Sequence, residues 1–260
     1  MVVSCGNHSF KPPIRSSEAF SLEVSMERHD IVYILKEGID AYELTYSLRS
    51  VDKNFPHNKV WFVCGQPKGL YPDGRIAERQ EGPTKWSRVR SSLIHIIYNK
   101  DITDDFYLFN DDFFVMKPVN EFTNFVDGSL ARRIQELRDR GRNGLYVSNL
   151  EALKEELERN GYDSMNYAVH LPILLNKAKL LDTLNSSNCP MYRALYGNMQ
   201  KIPYVFHKDV KIYENFVEPD KEADYLSTTE GSFRDGLVGR FIRERFTEPS
   251  RFEVTDEINR

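Results

Sequence analysis

Three runs of β-branched and aromatic residues punctuate the first half of the chain: Asp-Ile-Val-Tyr-Ile-Leu at 30–35, Lys-Val-Trp-Phe-Val-Cys-Gly at 59–65 and Asp-Asp-Phe-Tyr-Leu-Phe at 104–109. Apolar runs without alternation mark strands covered on both faces, as in a parallel sheet sandwiched by helices. Between the first two runs, Ala41, Leu44, Leu48 and Val51 recur at helical spacing. They predict an amphipathic helix over 40–53, stopped by Asn54-Phe55-Pro56. Strand, helix and strand in close succession make a βαβ unit with a right-handed crossover. A Pro/Gly-rich stretch at 65–83 reads as loop, and Trp86, Val89, Leu93, Ile96 and Ile97 mark the next helix.

The pattern changes over 128–162, where two short helices are predicted. The first is basic (Arg132, Arg133, Arg138, Arg140, Arg142) and the second acidic (Glu151, Glu155, Glu156, Glu158). Opposite charge on successive helices predicts a hairpin with cross-helix pairs; acceptor binding by the arginines is the functional alternative. Residues 166–175 return to strand character, 176–184 read as helix, 207–213 as a polar strand, and Leu237, Val238, Phe241 and Ile242 mark a closing helix. The fold class expected is α/β: an open, mostly parallel sheet flanked by helices, with a small helical insertion. The expected organisation is an arm at 1–28, one domain over 29–253 with the insertion at 128–162, and a tail at 254–260.

Composition adds bounds rather than direction. Of 260 residues, 40% are hydrophobic and 28% charged, as in ordinary globular proteins. The 14 Tyr and 16 Phe serve mainly a core, and also suit stacking on a sugar-like ring. A net charge of -4 and a pI near 5.9 give no global attraction to nucleic acid or to an anionic membrane. Cys5, Cys64 and Cys189 lack metal-ligand spacing, and an odd count argues against a disulfide framework. With no apolar run of signal-peptide or membrane-spanning length, a cytoplasmic protein is expected.

The chemistry concentrates in Tyr-Leu-Phe-Asn-Asp-Asp-Phe-Phe-Val at 107–115. Here Asn110, Asp111 and Asp112 interrupt two aromatic runs. Burying unpaired carboxylates costs several kcal/mol unless a cation or hydrogen-bond donors compensate. Ligands of open α/β sheets bind at the carboxyl ends of strands, so an acidic pair there is placed to hold a hard divalent cation that bridges phosphates. The alternative is a buried turn whose Asp side chains cap backbone amides. Lys85, Arg88, Ser92 and His95 share one face of the second helix, and Tyr42, Tyr46 and Arg49 line a face of the first. A solvated helix face is the commoner explanation for either set. His170 lies in Val-His-Leu-Pro, where Pro172 holds Leu171 extended; it reads as a general base, a phosphate ligand or a structural hydrogen-bonder.

Taken in order, Asp-Ile-Val-Tyr-Ile-Leu, Glu-Leu-Thr-Tyr-Ser-Leu-Arg-Ser-Val-Asp-Lys-Asn, Val-Trp-Phe-Val-Cys-Gly and Asp-Asp-Phe-Tyr-Leu-Phe-Asn-Asp-Asp-Phe-Phe-Val-Met-Lys-Pro-Val resemble the Stealth-type capsular polysaccharide transferases and their bacterial and phage relatives. His170-Leu171-Pro172, Arg193-Ala194-Leu195-Tyr196-Gly197-Asn198 and the ending from Ser227 to Glu253 extend the resemblance over 30–253. It implies a GT-A-like fold, a nucleotide-sugar donor (a UDP-sugar) and a divalent metal, Mn²⁺ or Mg²⁺. Carried over position by position, Asp111 and Asp112 become the metal site, with Asn110 beside it. Asp30 comes to lie near the nucleotide base or ribose, and Arg49 supports the donor site or the packing beneath it. His170 and Arg193 become acid/base and phosphate-binding groups; apart from the resemblance, Lys85 and Arg88 on the second helix's polar face are the candidate basic groups for the diphosphate. The activity implied is transfer of a sugar to an acceptor hydroxyl, on a glycan or, as a lesser alternative, on a modified DNA base. Two further readings stay open: Stealth-type transfer of a sugar-1-phosphate, and a non-catalytic carbohydrate- or nucleotide-sugar-binding module.

Overall fold

The computed structural model describes residues 26–40 and 42–254. Most of the arm expected at 1–28, and the tail beyond Val254, lie outside the described residues. The chain opens with β1 (Asp30–Leu35), α1 (Tyr42–Asn54), β2 (Val60–Cys64) and β3 (Gly74–Ile76), then α2 (Lys85–Tyr98), β4 (Asp105–Phe109), β5 (Phe113–Val115) and β6 (Asn124–Val126). The helical pair follows as α3 (Leu130–Asp139) and α4 (Leu145–Arg159), then β7 (Ile173–Asn176), α5 (Lys177–Ser186) and α6 (Tyr192–Met199). The last third holds β8 (Tyr204–Phe206), β9 (Lys211–Ile212), β10 (Tyr225–Thr228), α7 (Glu230–Arg234) and α8 (Leu237–Arg245).

The central sheet has the order β3-β2-β1-β4-β7. Its first four strands are mutually parallel, and β7 is antiparallel to β4. The fold is therefore α/β with a mostly parallel sheet. Period-two alternation sorts the strand residues onto two faces. Val32, Phe106 and Leu108 enter one core with α2, α3, α4, α5 and α6, while Ile31, Tyr33, Tyr107 and Phe109 enter another with α1. Leu130, Ile134, Leu150 and Leu153 of the helical pair belong to the first core, and Arg138 of α3 also pairs with Glu151 of α4.

Three expectations need correction, the first being that the polar strand at 207–213 is reduced to β9, Lys211–Ile212. The stretch 65–83 carries an edge strand, β3, whose Gly74 lies against the Trp61 ring so closely that a Cβ would come within 2.4 Å of it. In the run 166–175 only the last three residues are strand, as the start of β7 (Ile173–Asn176), because the residues before them spend their backbone groups on side chains. Val169 and Leu171 give their carbonyls to Arg193, and the His170 amide donates to Asp209.

After β4 the chain leaves the central sheet. Asn110-Asp111-Asp112 turns it into a second sheet of order β5-β10-β9. A polar stripe on α1 secures that transfer. Ser47 Oγ donates to the Phe113 carbonyl at 2.6 Å, Ser50 Oγ accepts the Val115 amide at 3.0 Å, and Asn54 Nδ2 donates to the Val115 carbonyl at 2.7 Å. These buried polar side chains satisfy the free edge of β5, which would otherwise be left without partners inside the protein. A third core, with Phe114 stacked on Phe233 at 5.4 Å, packs the small sheet against α7 and α8.

Candidate functional site

The acidic turn sits at the carboxyl end of β4, beside the carboxyl end of β1, since Tyr33 and Phe109 are register partners. The Phe113 amide closes the turn on the Asn110 carbonyl at 3.3 Å. Three other segments converge on it. From β9, Lys211 Nζ ion-pairs Asp112 Oδ2, with both side chains largely buried. From β10, the Thr228 amide donates to the Asp112 carbonyl at 3.4 Å. From α1, Glu43 accepts the Thr228 hydroxyl at 2.8 Å.

The electrostatics are those of a site with surplus negative charge. Burial first, and the Asp112 charge second, push the Asp111 carboxyl up to about 6. Burial also pushes Glu43 up to about 7; the Thr228 hydrogen bond opposes this, and the charges of Asp112 and Asp111 add to it. Lys211 is the one cation among these groups and offsets only part of the charge. Asp112 Oδ1 and the hydroxyl of Ser227, opposite Phe113 on β10, are buried without a hydrogen-bond partner. Among the described residues only His95 Nε2 shares that state. Orphaned polar atoms are rare in native interiors, and two of them fall at this strand junction.

Beneath the turn, Arg193 of α6 is buried. Its guanidinium donates to the carbonyls of Leu171 (2.6 Å), Val169 (3.3 Å) and Leu108 (3.4 Å), and reaches Asn110 Oδ1 at 3.5 Å. It thereby ties the end of β4 to the His170 segment. His170 Nδ1 lies 2.8 and 2.9 Å from the two Asp209 oxygens. Burial, the largest single influence, would raise the Asp209 carboxyl, but the hydrogen bonds and charge of His170 together with the Lys211 amide hold it below its ordinary value. Asp209 Oδ1 also accepts the Lys211 amide at 3.3 Å. His170, Asp209, Lys211 and Asp112 thus form one contiguous chain of contacts.

The remaining predicted residues are not brought to this place. Asp30 is at the amino end of β1, roughly 16 Å of strand from the carboxyl end. Its carboxylate is consumed by Trp61 Nε1 (2.9 Å), the Thr103 amide (3.1 Å) and the Lys59 amide (3.2 Å). It closes the amino end of the sheet's central strands, at the far end from the acidic turn. Arg49 forks onto Glu253 at 2.9 and 2.6 Å and donates to the carbonyls of Phe246 and Thr247, clamping the C-terminal segment to α1. Lys85 lies over the Trp86 ring and Arg88 donates to the Gly82 carbonyl, both exposed at the start of α2. Neither has a hydrogen bond or ion pair to the acidic turn among the described residues.

Glu43, Lys211 and Asp209 were not among the residues expected from sequence. Glu43 carried a readable signal: with Ser47, Ser50 and Asn54 it forms a polar stripe at helical spacing. Among the described residues no group of three or more His, Cys, Asp or Glu side chains comes together to hold a metal. Two adjacent hard carboxylates do match a cation that keeps its waters and takes its other oxygens from substrate phosphates. The unpartnered Asp112 Oδ1 fits that use.

No family model matches the sequence, and no curated protein matches it. Among solved structures the chain is similar to the glycosyltransferase GlyE of Streptococcus pneumoniae TIGR4, with 10% identity and a TM-score of 0.34 over 70% of this chain. The match spans 45% of that protein's length. At that score the likeness carries no weight for activity. No helix among the described residues is long and apolar enough to cross a membrane.

Proposed function

We propose that the protein is a nucleotide-sugar-dependent glycosyltransferase whose donor diphosphate is bound at Asp111 and Asp112. The observation that carries this reading is the partly compensated carboxylate cluster of Glu43, Asp111 and Asp112 at a strand's carboxyl end, with Asp112 Oδ1 unpartnered. A divalent cation held by Asp111 and Asp112 would supply the positive charge that a departing diphosphate needs. Lys211 keeps Asp112 fixed and adds a charge toward the same leaving group. Asp209 holds the Nδ1 side of His170, which leaves Nε2 to take the proton of an acceptor hydroxyl. The acceptor oxygen then bonds to the anomeric carbon, and the bond from that carbon to the diphosphate oxygen breaks, its electron pair leaving with the nucleoside diphosphate. Arg193 positions both halves, because it bonds the end of β4 and the carbonyls flanking His170.

Incubation with UDP-sugars, Mn²⁺ and a panel of hydroxyl acceptors, followed by nucleotide analysis, tests this. Release of nucleoside diphosphate is expected. Release of monophosphate instead would assign the site to sugar-1-phosphate transfer. Release of neither, with every donor, would remove the enzymatic reading and leave a binding module.

A further inference from the structure

Beside the acidic turn lies a cleft of about 560 Å³ with a different electrostatic character. It is lined by Arg132, Arg133, Arg140, Arg142, Lys208 and Lys211. Four carboxylates also line it: Asp127, Glu136, Asp209 and Glu214. Two of these are already engaged by arginines of α3, Arg132 with Asp127 at 2.5 Å and with Glu136 at 3.0 Å, and Arg133 with Glu136 at 3.7 Å. Asp209 is taken by His170. Arg140 and Arg142, on the link from α3 to α4, have no side-chain ion pair among the described residues and stand exposed at the cleft. Glu214 is the one lining carboxylate without an ion pair among the described residues, so the charge of Arg140 and Arg142 exceeds what the cleft itself offsets.

The cleft adjoins the chemistry through two of its lining residues. Lys211 pairs with Asp112 of the acidic turn, and Asp209 pairs with His170. The side chain of Tyr213, 45% exposed, adds a ring to the same wall. Cations with fork geometry recognise phosphate and carboxylate oxygens, and an exposed aromatic ring suits the apolar face of a sugar.

We propose that this cleft is the acceptor subsite and that it takes a saccharide bearing an anionic group, a phosphate or a carboxylate. Arg140 and Arg142 bind the anion, Tyr213 stacks on the ring, and the acceptor hydroxyl points toward His170. The proposal deepens the transferase reading and rests on it. The volume fits a ligand of one or two sugar units, and the net charge of -4 disfavours a polyanion that must span the surface. A small anionic saccharide is thus favoured over a nucleic acid.

The test uses the full chain and the double variant Arg140→Gln/Arg142→Gln, whose side chains are exposed and make no ion pair among the described residues. Glucose 6-phosphate, glucuronic acid, glucose and a single-stranded oligonucleotide are titrated by calorimetry at low salt, and UDP with Mn²⁺ is titrated separately. The expected result is that the two anionic sugars bind and glucose does not. The double variant should weaken anionic-sugar binding by roughly tenfold or more, while its UDP–Mn²⁺ binding stays within a factor of two of the unaltered protein. The subsite is overturned if neither anionic sugar binds, if the double variant binds them equally well, or if it loses UDP–Mn²⁺ instead, which would make the cleft part of the donor site. Binding of the oligonucleotide alone, lost in the variant, would overturn the saccharide assignment. Failure of UDP to bind the unaltered protein in any metal would strike the donor reading itself and is seen in a separate titration.

Discussion

Replacing Asp111 by Asn keeps the shape of the side chain and removes one charge from a turn that holds too many. The magnitude follows from the raised acidity constant. A carboxyl moved from 3.8 to about 6 carries roughly 3 kcal/mol of penalty on its charged form, which solvent at the partly open turn reduces to roughly 1–2 kcal/mol. Because the folded value lies above the unfolded one, the folded protein holds this proton more tightly. The stability so gained is complete below pH 3.8 and is lost as pH rises through about 6. The natural protein therefore bears the penalty at pH 8, and Asp111→Asn does not. Urea and thermal unfolding at pH 5 and pH 8, without metal, should show the variant more stable at pH 8 by roughly 1–2 kcal/mol, or about 2–8 °C in Tm. The gap should shrink toward pH 5. Metal-dependent nucleotide binding should fall in the same variant, so that stability rises as function is lost. A variant that is less stable at pH 8, or whose gap is the same at both pH values, would refute the electrostatic account of the turn.

Four other substitutions probe the framework. Arg193→Ala leaves the carbonyls of Leu108, Val169 and Leu171 without their donor; it should cost about 2–4 kcal/mol in urea unfolding and lower kcat, since both halves of the site lose their tie. His170→Gln should lower kcat by about a hundredfold with nucleotide affinity unchanged, and Asp209→Asn by about tenfold or more, as the ring loses the partner that fixes its tautomer; a fall in nucleotide affinity alone would argue against a proton-transfer role. Gly239→Ala places a Cβ 1.8 Å from the Phe233 carbonyl oxygen, so α7 and α8 must separate; thermal denaturation should report a loss of about 1–3 kcal/mol.

Much of the frame was readable from the order of residues, and the reasons are physical. Buried parallel strands need unbroken apolar runs, so β1, β2 and β4 announced themselves, and the turn after β4 stood out because carboxylates interrupted such a run. The edge strand β3 did not, because three residues within a Gly- and Pro-rich stretch carry no period. The partners of the turn were hidden by distance. Lys211 is 99 residues from Asp112; the polar pattern at 207–213 marks its strand but not the carboxylate it meets. Asp209 is 39 residues from His170, and only the fold joins them. Asp30 shows the opposite case. It stands in a motif-like position, yet chain direction alone puts it at the amino end of β1, and ligands of such sheets gather at the carboxyl end. On α1 the apolar stripe fills the core, while the polar stripe beside it, Glu43, Ser47, Ser50 and Asn54, bonds β5 and reaches the site.

The central claim is that Asp111 and Asp112 hold a nucleotide diphosphate together with a divalent cation. Calorimetric titration of UDP and UDP-sugars, with Mn²⁺ and with chelator, against the unaltered protein and Asp112→Ala tests it most directly. The account predicts binding that requires the metal and falls by roughly tenfold or more in the variant. Binding that is indifferent to metal, or equal in Asp112→Ala, would contradict it.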